Sequence, residues 1–392
     1  MTTRSYAMRL AAAAMLSASP CATHAVIITV APDGPVRSIA AAASIARDGD
    51  IVEVLAGEYR GDVAVWTQRR LTIRGVGGTP VLKADGRVAE GKAIWVIRNG
   101  DVSVENFAFE GARADDRNGA GIRFEEGRLT IRYCRFADNE NGLLTSNSPD
   151  AELTIENSEF SRAPRDRGPF KHLLYVGSIA RFTLRGSRFH QGFEGHLVKT
   201  RARFNRIEYN LLYDGEDGRA AYELEFPNGG VAEVVGNVIG QSTTTTNPVV
   251  VAYGAEGSDR DDNSLYLVNN TLISDGVRGG WFLRVWTDRI PGDATIVAVN
   301  NLTVGLGLFS LSAPGRFDGN FPVLPAALGE PGTLDFRLAA NSLLRQAGVR
   351  PPRRNGRSLA PAAEFSLPIG TVPLAARPTW TPGAYQSTDA RR

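Results

Sequence analysis

One short pattern returns along most of the chain: an aliphatic residue, a variable one, then Asn, Gly or Tyr, two more residues and an apolar one. It reads "VENFAF" from Val104, "IRYCRF" from Ile131, "IENSEF" from Ile155, "LRGSRF" from Leu184 and "IEYNLL" from Ile207. It continues as "VGNVI" from Val235, "VNNTLI" from Val268 and "VNNLTV" from Val299. Starts among the first five lie 27, 24, 29 and 23 residues apart, and later gaps run to about 30. Each unit holds two or three short alternating runs separated by Gly, Asn or Asp. The helical patterns of about 10–15 residues that an open parallel sheet requires between strands are missing. A unit this short cannot bury its apolar face alone, so the units must stack into a coiled, all-β solenoid whose rungs pair in parallel. Asn106, Asn157, Asn269 and Asn300 recur at the second or third place of the pattern, which suits a tight turn because Asn tolerates left-handed backbone angles.

The bulk numbers narrow the partners. The chain has 392 residues, with 44 Lys+Arg against 42 Asp+Glu and a net charge of +2, a balance that argues against a dedicated nucleic-acid binder. Arg4 and Arg9, the apolar run "LAAAAMLSA" (Leu10 to Ala18) and the small-residue site "THA" (Thr23 to Ala25) read as an export signal over residues 1–25. Removal of that segment takes Cys21 with it and leaves Cys134 alone, so stability must come from packing. No later stretch has the roughly 18 uninterrupted apolar residues of a transmembrane segment. The expected location is the periplasm or the medium.

"GDIVEVLAGEYRGDVAVW…LTIRGVGG" (Gly49 to Gly78) resembles the opening rungs of right-handed parallel β-helix proteins related to pectate lyases. "LDFRLAANSLLRQAG" (Leu334 to Gly348) with "TPGAYQ" (Thr381 to Gln386) is similar to the closing segment of many secreted β-helix proteins. The resemblance implies a right-handed parallel β-helix over residues 26–321. The helical spacing in "VRSIAAAASIARDGD" (Val36 to Asp50) adds a short helix capping the open end, since a bare first rung would expose a sheet edge. The proline-rich residues 322–392 form an irregular tail packed along the coil. The scaffold carries lyases, hydrolases, epimerases and non-catalytic proteins, so activity must be read from the site.

Strand alternation points to that site. Taking Val198 and Thr200 as inward places Lys199 and Arg201 outside, and the same rule puts Tyr175, Glu223, Glu225, Tyr253, Arg284 and Trp286 on one outward strip with Arg123, Glu125, Thr145 and Asn147. His172, His196 and Tyr222 open successive strands and should stand one above another, while His190 lies in a turn within reach of the same mouth. Aromatic and charged side chains in a line suit an extended acidic polysaccharide.

β-Elimination from a uronic acid needs a cation for the carboxylate, a base for the adjacent C–H and an acid for the leaving oxygen. Arg201 suits the first role, Lys199 or His196 the second, and Tyr175 the third or a share of the second, with Arg203 as a further carboxylate binder. The resemblance implies a Lys or Arg base, often with Ca²⁺ held by acids, and Glu223 with Glu225 could hold such an ion. The same two glutamates keep an acid/base hydrolase open. A uronate epimerase and a non-catalytic β-helix that binds or guides an exopolysaccharide are the remaining alternatives.

Overall fold

The computed structural model describes residues 25–166, 171–276, 279–310, 315–376 and 378–387. Apart from Ala25, the expected export signal lies outside them. Three parallel sheets run the length of a solenoid. The first has 12 strands, from Ile27–Val30 to Arg316–Asp318; the second has 10, from Ala64–Trp66 to Leu308–Phe309; the third has 11, from Glu58–Arg60 to Phe321–Val323. A coil passes from a second-sheet strand such as His196–Thr200 to the first sheet at Phe204–Glu208. It then bends into the third sheet at Leu211–Tyr213 and returns through a longer loop to the second sheet at Tyr222–Phe226.

The recurring sequence pattern is the first-sheet strand and the bend after it. Asn106, Asn157, Asn269 and Asn300 sit in that bend with φ of 62°, 48°, 52° and 58°, as expected. The next position carries a second ladder, buried in the coil: Ser158, Ser187, Asn210, Asn237, Asn270 and Asn301. Each of these asparagines accepts at Oδ1 from the backbone N–H of its equivalent one coil earlier, as in Asn237 N to Asn270 Oδ1 and Asn270 N to Asn301 Oδ1, both 2.9 Å. Each Nδ2 donates to a strand carbonyl further back, Asn270 to Val234 O at 2.9 Å and Asn301 to Leu267 O at 2.8 Å. A sharp bend in a buried chain strands backbone donors and acceptors, and the ladder satisfies them. In the third sheet Phe109, Phe136, Phe160 and Phe189 stack at centroid separations of 5.0, 4.5 and 4.6 Å, filling the interior with equivalent rings.

The open end is closed by helix α1, Ile39–Ile45, which buries Ile39 and Ala42 over the first coil. Ser38 Oγ accepts from Ala41 N, and the Asp62 carboxylate accepts from Ile39 N at 2.6 Å and Ala40 N at 2.9 Å, so the helix start is capped from the coil it covers. The C-terminal tail is pinned along the first sheet: Arg357 bridges Glu208 at 2.6 Å and Glu233 at 2.5 Å, and Arg354 reaches Asp262 at 3.0 Å. Cys134 is buried, and burial pushes its thiol up to about 12. Among the described residues no helix is long and apolar enough to cross a membrane.

Replacing Asn270 by Ala strips the Asn237 N–H of its acceptor and removes the amide donor to the Val234 carbonyl. At about 1–3 kcal/mol per buried unsatisfied group, thermal unfolding should show a loss of at least about 1 kcal/mol. The exposed Asn341→Ala serves as control. An unchanged midpoint for Asn270→Ala would mean that the ladder does not hold the bend.

Candidate functional site

The second sheet presents the site, and the way its strands begin decides which residues it shows. Strict alternation fails at the corner where each strand opens. There two consecutive residues are buried: Leu173 and Leu174, Leu197 and Val198, Glu223 and Leu224, Val250 and Val251, Phe282 and Leu283. The residues before and after each inward pair therefore face out, three apart. One outward column runs His172, His196, Tyr222, Val249, Trp281, and the other runs Arg123, Leu144, Tyr175, Lys199, Glu225, Ala252, Arg284.

The expected stack of His172, His196 and Tyr222 is present, with centroids 4.7 and 4.8 Å apart. His172 Nδ1 accepts from the backbone N–H of His196 at 3.1 Å, which leaves the ring proton on Nε2. Burial, then coupling to the neighbouring His196 ring and the Lys199 cation, pushes its pKa well below the ordinary value. His196 is 8 % exposed. Its Nδ1 lies 3.0 Å from Glu225 Oε2, a close contact rather than an aligned hydrogen bond. Burial outweighs the pull of Glu225 and lowers the His196 pKa, so the ring is neutral near pH 7. With Nδ1–H toward Glu225, Nε2 is its basic atom.

Beside the rings, Lys199 Nζ lies between two carboxylates, 3.4 Å from Glu225 and 3.0 Å from Glu256. Arg201 Nη1 and Nη2 meet the same Glu256 at 2.7 and 3.0 Å, Nε donates to Tyr175 Oη at 2.9 Å, and Nη1 also donates to Asn228 Oδ1. Burial alone would raise the Glu256 carboxyl, but Arg201 and Lys199 overcome it and hold its pKa at about 2. Arg260 ties down the backbone beneath, donating to Ala202 O at 2.9 Å and Arg201 O at 2.5 Å. Two cations with a shared carboxylate, a neutral imidazole and a phenol thus sit side by side on the outward face of the second sheet. Towards the other end of the strip, Arg284 lies 4.5 Å over the Trp286 ring and 5.9 Å from Trp281, a flat amphipathic platform.

The family model for the right handed beta helix region matches residues 92–282, the coils that carry this strip as far as Trp281. The chain is a right-handed parallel β-helix. Among solved structures, the crystal structure of pectate lyase Pel9A is similar to it with a TM-score of 0.59 at 15% identity, over 87% of this chain and 96% of that one. An alginate lyase from Paenibacillus sp. str. FPU-7 aligns at a TM-score of 0.49 and 15% identity, over 72% of this chain and 95% of the other. No curated protein sequence matches.

Several expected members of the β-helix strip lie elsewhere. Glu223 is fully buried, because the corner turns it inward between Leu197 and Val250. Neither of its oxygens has a hydrogen bond of normal geometry; burial, then the charge on Asp214, raises its pKa well above the ordinary value. It cannot share an ion with Glu225, whose carboxylate is engaged by His196 and Lys199, nor form a hydrolase pair with it. Among the described residues no three His, Cys, Asp or Glu gather as metal ligands. Tyr253 pairs with inward Phe226, is fully buried and donates its hydroxyl to Gly230 O at 2.6 Å; Ala252 holds the outward place. Thr145 is likewise inward, paired with Phe124. His190 belongs to the third sheet, 2.9 Å from Glu159, and does not reach the mouth. Arg203 is exposed past the turn, outside the ion-pair network.

Glu256, Asn228 and Arg260 come from the loops that follow the second-sheet strands, where strand alternation assigns no direction. A larger cleft of about 660 Å³ lies on the third-sheet face, but most of its cations are matched by neighbouring acids, Lys83 with Glu58 at 2.5 Å and Arg162 with Glu110 at 3.7 Å, while Arg165 donates to the Asp217 carbonyl at 2.6 Å. Among the described residues no neutral base lines it.

The inward glutamate makes a pH-dependent prediction. A carboxyl with a raised folded-state pKa stabilises the fold fully below its unfolded value of about 4.3, and that contribution is lost as pH rises towards the folded value. Glu223→Gln keeps the shape without the ionisation. Its urea midpoint should match the parent near pH 4 and exceed it at pH 8; Asp214, raised to about 6 by burial, contributes equally to both proteins. Identical pH dependence in the two would contradict a buried, protonated Glu223.

Proposed function

We propose that the strip is the active site of an exported enzyme that cleaves an acidic, uronic-acid-containing polysaccharide by β-elimination. The observation that carries this is Glu256: Arg201 and Lys199 already hold one carboxylate between them, directly beside a neutral histidine. A uronate carboxylate has the same charge and geometry, and Glu256, with its side chain 43% exposed on a loop, can give way to it.

In the proposed reaction Arg201 and Lys199 neutralise the substrate carboxylate and acidify the adjacent C–H. His196 takes that proton at Nε2 while Glu225 holds the ring and stabilises the imidazolium that forms. The electron pair moves into the new C=C bond, the C–O bond to the next sugar breaks, and the departing oxygen receives a proton. Tyr175 suits that last step, because Oη accepts from Arg201 and keeps its own proton free to donate. Lys199 is the weaker base candidate, since its ammonium is already engaged by two carboxylates. Tyr222, Trp281, Arg284 and Trp286 would support the sugar rings on one side of the cleavage point. The expected export signal would place the activity in the periplasm or the medium.

Uronic-acid polymers tested for ultraviolet absorbance of an unsaturated product check this directly. His196→Ala should lower turnover by about 10²–10⁴-fold with the thermal midpoint retained, the range for loss of a general base. If the protein binds such polymers without making an unsaturated product, the non-catalytic alternative takes its place. The pH profile gives a separate check. Because burial lowers the His196 pKa, kcat/KM should keep its acid limb below about 6.5, the free histidine value. Glu225→Gln removes the group that pulls this pKa upward and should move the limb to still lower pH. A limb above 6.5, or one that Glu225→Gln leaves in place, contradicts His196 as the base.

A further inference from the structure

We propose that the strip has a second anion-binding subsite at Arg123, so that the protein grips an acidic chain at two separated carboxylates. This rests on the polysaccharide reading above and adds where, and over what length, the substrate is held.

A cleft of about 350 Å³ opens on the second sheet on the N-terminal side of the His196 cluster. Tyr175 lines it, so it is continuous with the ring on which Lys199 and Arg201 rest, 5.7 and 5.8 Å from its centroid. Arg123, Asn118, Ser146 and Asn147 give it hydrogen-bonding walls, and Leu144 an apolar patch between Arg123 and Tyr175.

Arg123 differs from Lys199 and Arg201 in having no acid of its own. Among the described residues no carboxylate lies within ion-pair distance of it. Its one side-chain hydrogen bond runs from Nη2 to Ser146 Oγ at 3.1 Å, and Nε has no partner. Glu125, two residues on, is held by Lys92 at 2.8 Å and Arg98 at 2.5 Å, while Asp116 on the cleft wall accepts from Asn118 N at 3.0 Å. Burial works against the guanidinium charge. A half-buried, unmatched guanidinium in a polar cleft is complementary to an anion brought from outside.

Three rung steps separate Arg123 from Lys199, about 14 Å at the spacing of paired strands. That exceeds the distance between neighbouring carboxylates in an acidic disaccharide. Short fragments can therefore use one subsite at a time, and longer chains can use both.

The test is calorimetric binding of digalacturonate and hexagalacturonate, and of the matching mannuronates, to the full protein. Wild type should favour the hexamer, and Arg123→Ala should reduce that preference about tenfold, as for loss of one charge-assisted contact. Arg123→Gln should behave alike while keeping a bond to Ser146, which guards against a folding defect. Arg128→Ala, on the first sheet, removes the same charge from another face and should leave the preference intact. An unaltered hexamer preference in both Arg123 variants, or an equal loss in Arg128→Ala, overturns the subsite while the active-site reading stands. Failure of wild type to bind any of the four probes overturns both.

Discussion

Parallel pairing in register makes every residue's neighbour its own equivalent one coil away, and the rest of the structure depends on that constraint. A side chain that suits one coil must suit being stacked on itself. Phenylalanines satisfy this as stacked rings in the third sheet. Asparagines satisfy it at the buried bend, because one amide accepts from one coil and donates to another. The same rule that builds the interior builds the surface: chemistry placed on one outward position extends into a strip.

On the second sheet that strip combines repetition with exceptions. His172, His196 and Tyr222 stack as equivalents, yet their environments differ. His172 is locked by a backbone donor, whereas His196 faces Glu225. Lys199 and Arg201 belong to one coil, while Glu256 reaches them from a loop two coils on. The regular scaffold sets the spacing, and the loops add the charges that make one coil unlike the next.

Much of the fold was legible because its cause is repetitive. The pattern from Val104 to Val299 marks first-sheet strands and their bends, and the alanine-rich segment before Gly49 becomes the capping helix. The site was legible in part. Lys199, Arg201, Tyr175, His172, His196, Tyr222, Arg284 and Trp286 fall on the expected face. Glu223 and Tyr253 do not. Glu223 sits at a corner where two successive residues turn inward, and "VVVAYG" offers apolar residues at every place, so alternation cannot choose between Ala252 and Tyr253. Equivalence with Phe226 one coil earlier would have settled Tyr253, since Thr200, Phe226 and Tyr253 occupy one inward column. Glu256, Asn228 and Arg260 follow from loop geometry that no period encodes.

The central claim is that the Arg201–Lys199 pair, now closed by Glu256, is a substrate carboxylate site beside a neutral base. A crystal structure of the His196→Ala protein with bound hexagalacturonate or hexamannuronate tests it most directly. A uronate carboxylate should lie on Arg201 and Lys199 with Glu256 displaced and the scissile sugar facing the vacated imidazole position. An oligosaccharide bound on another face, with Glu256 still on both cations, would contradict it.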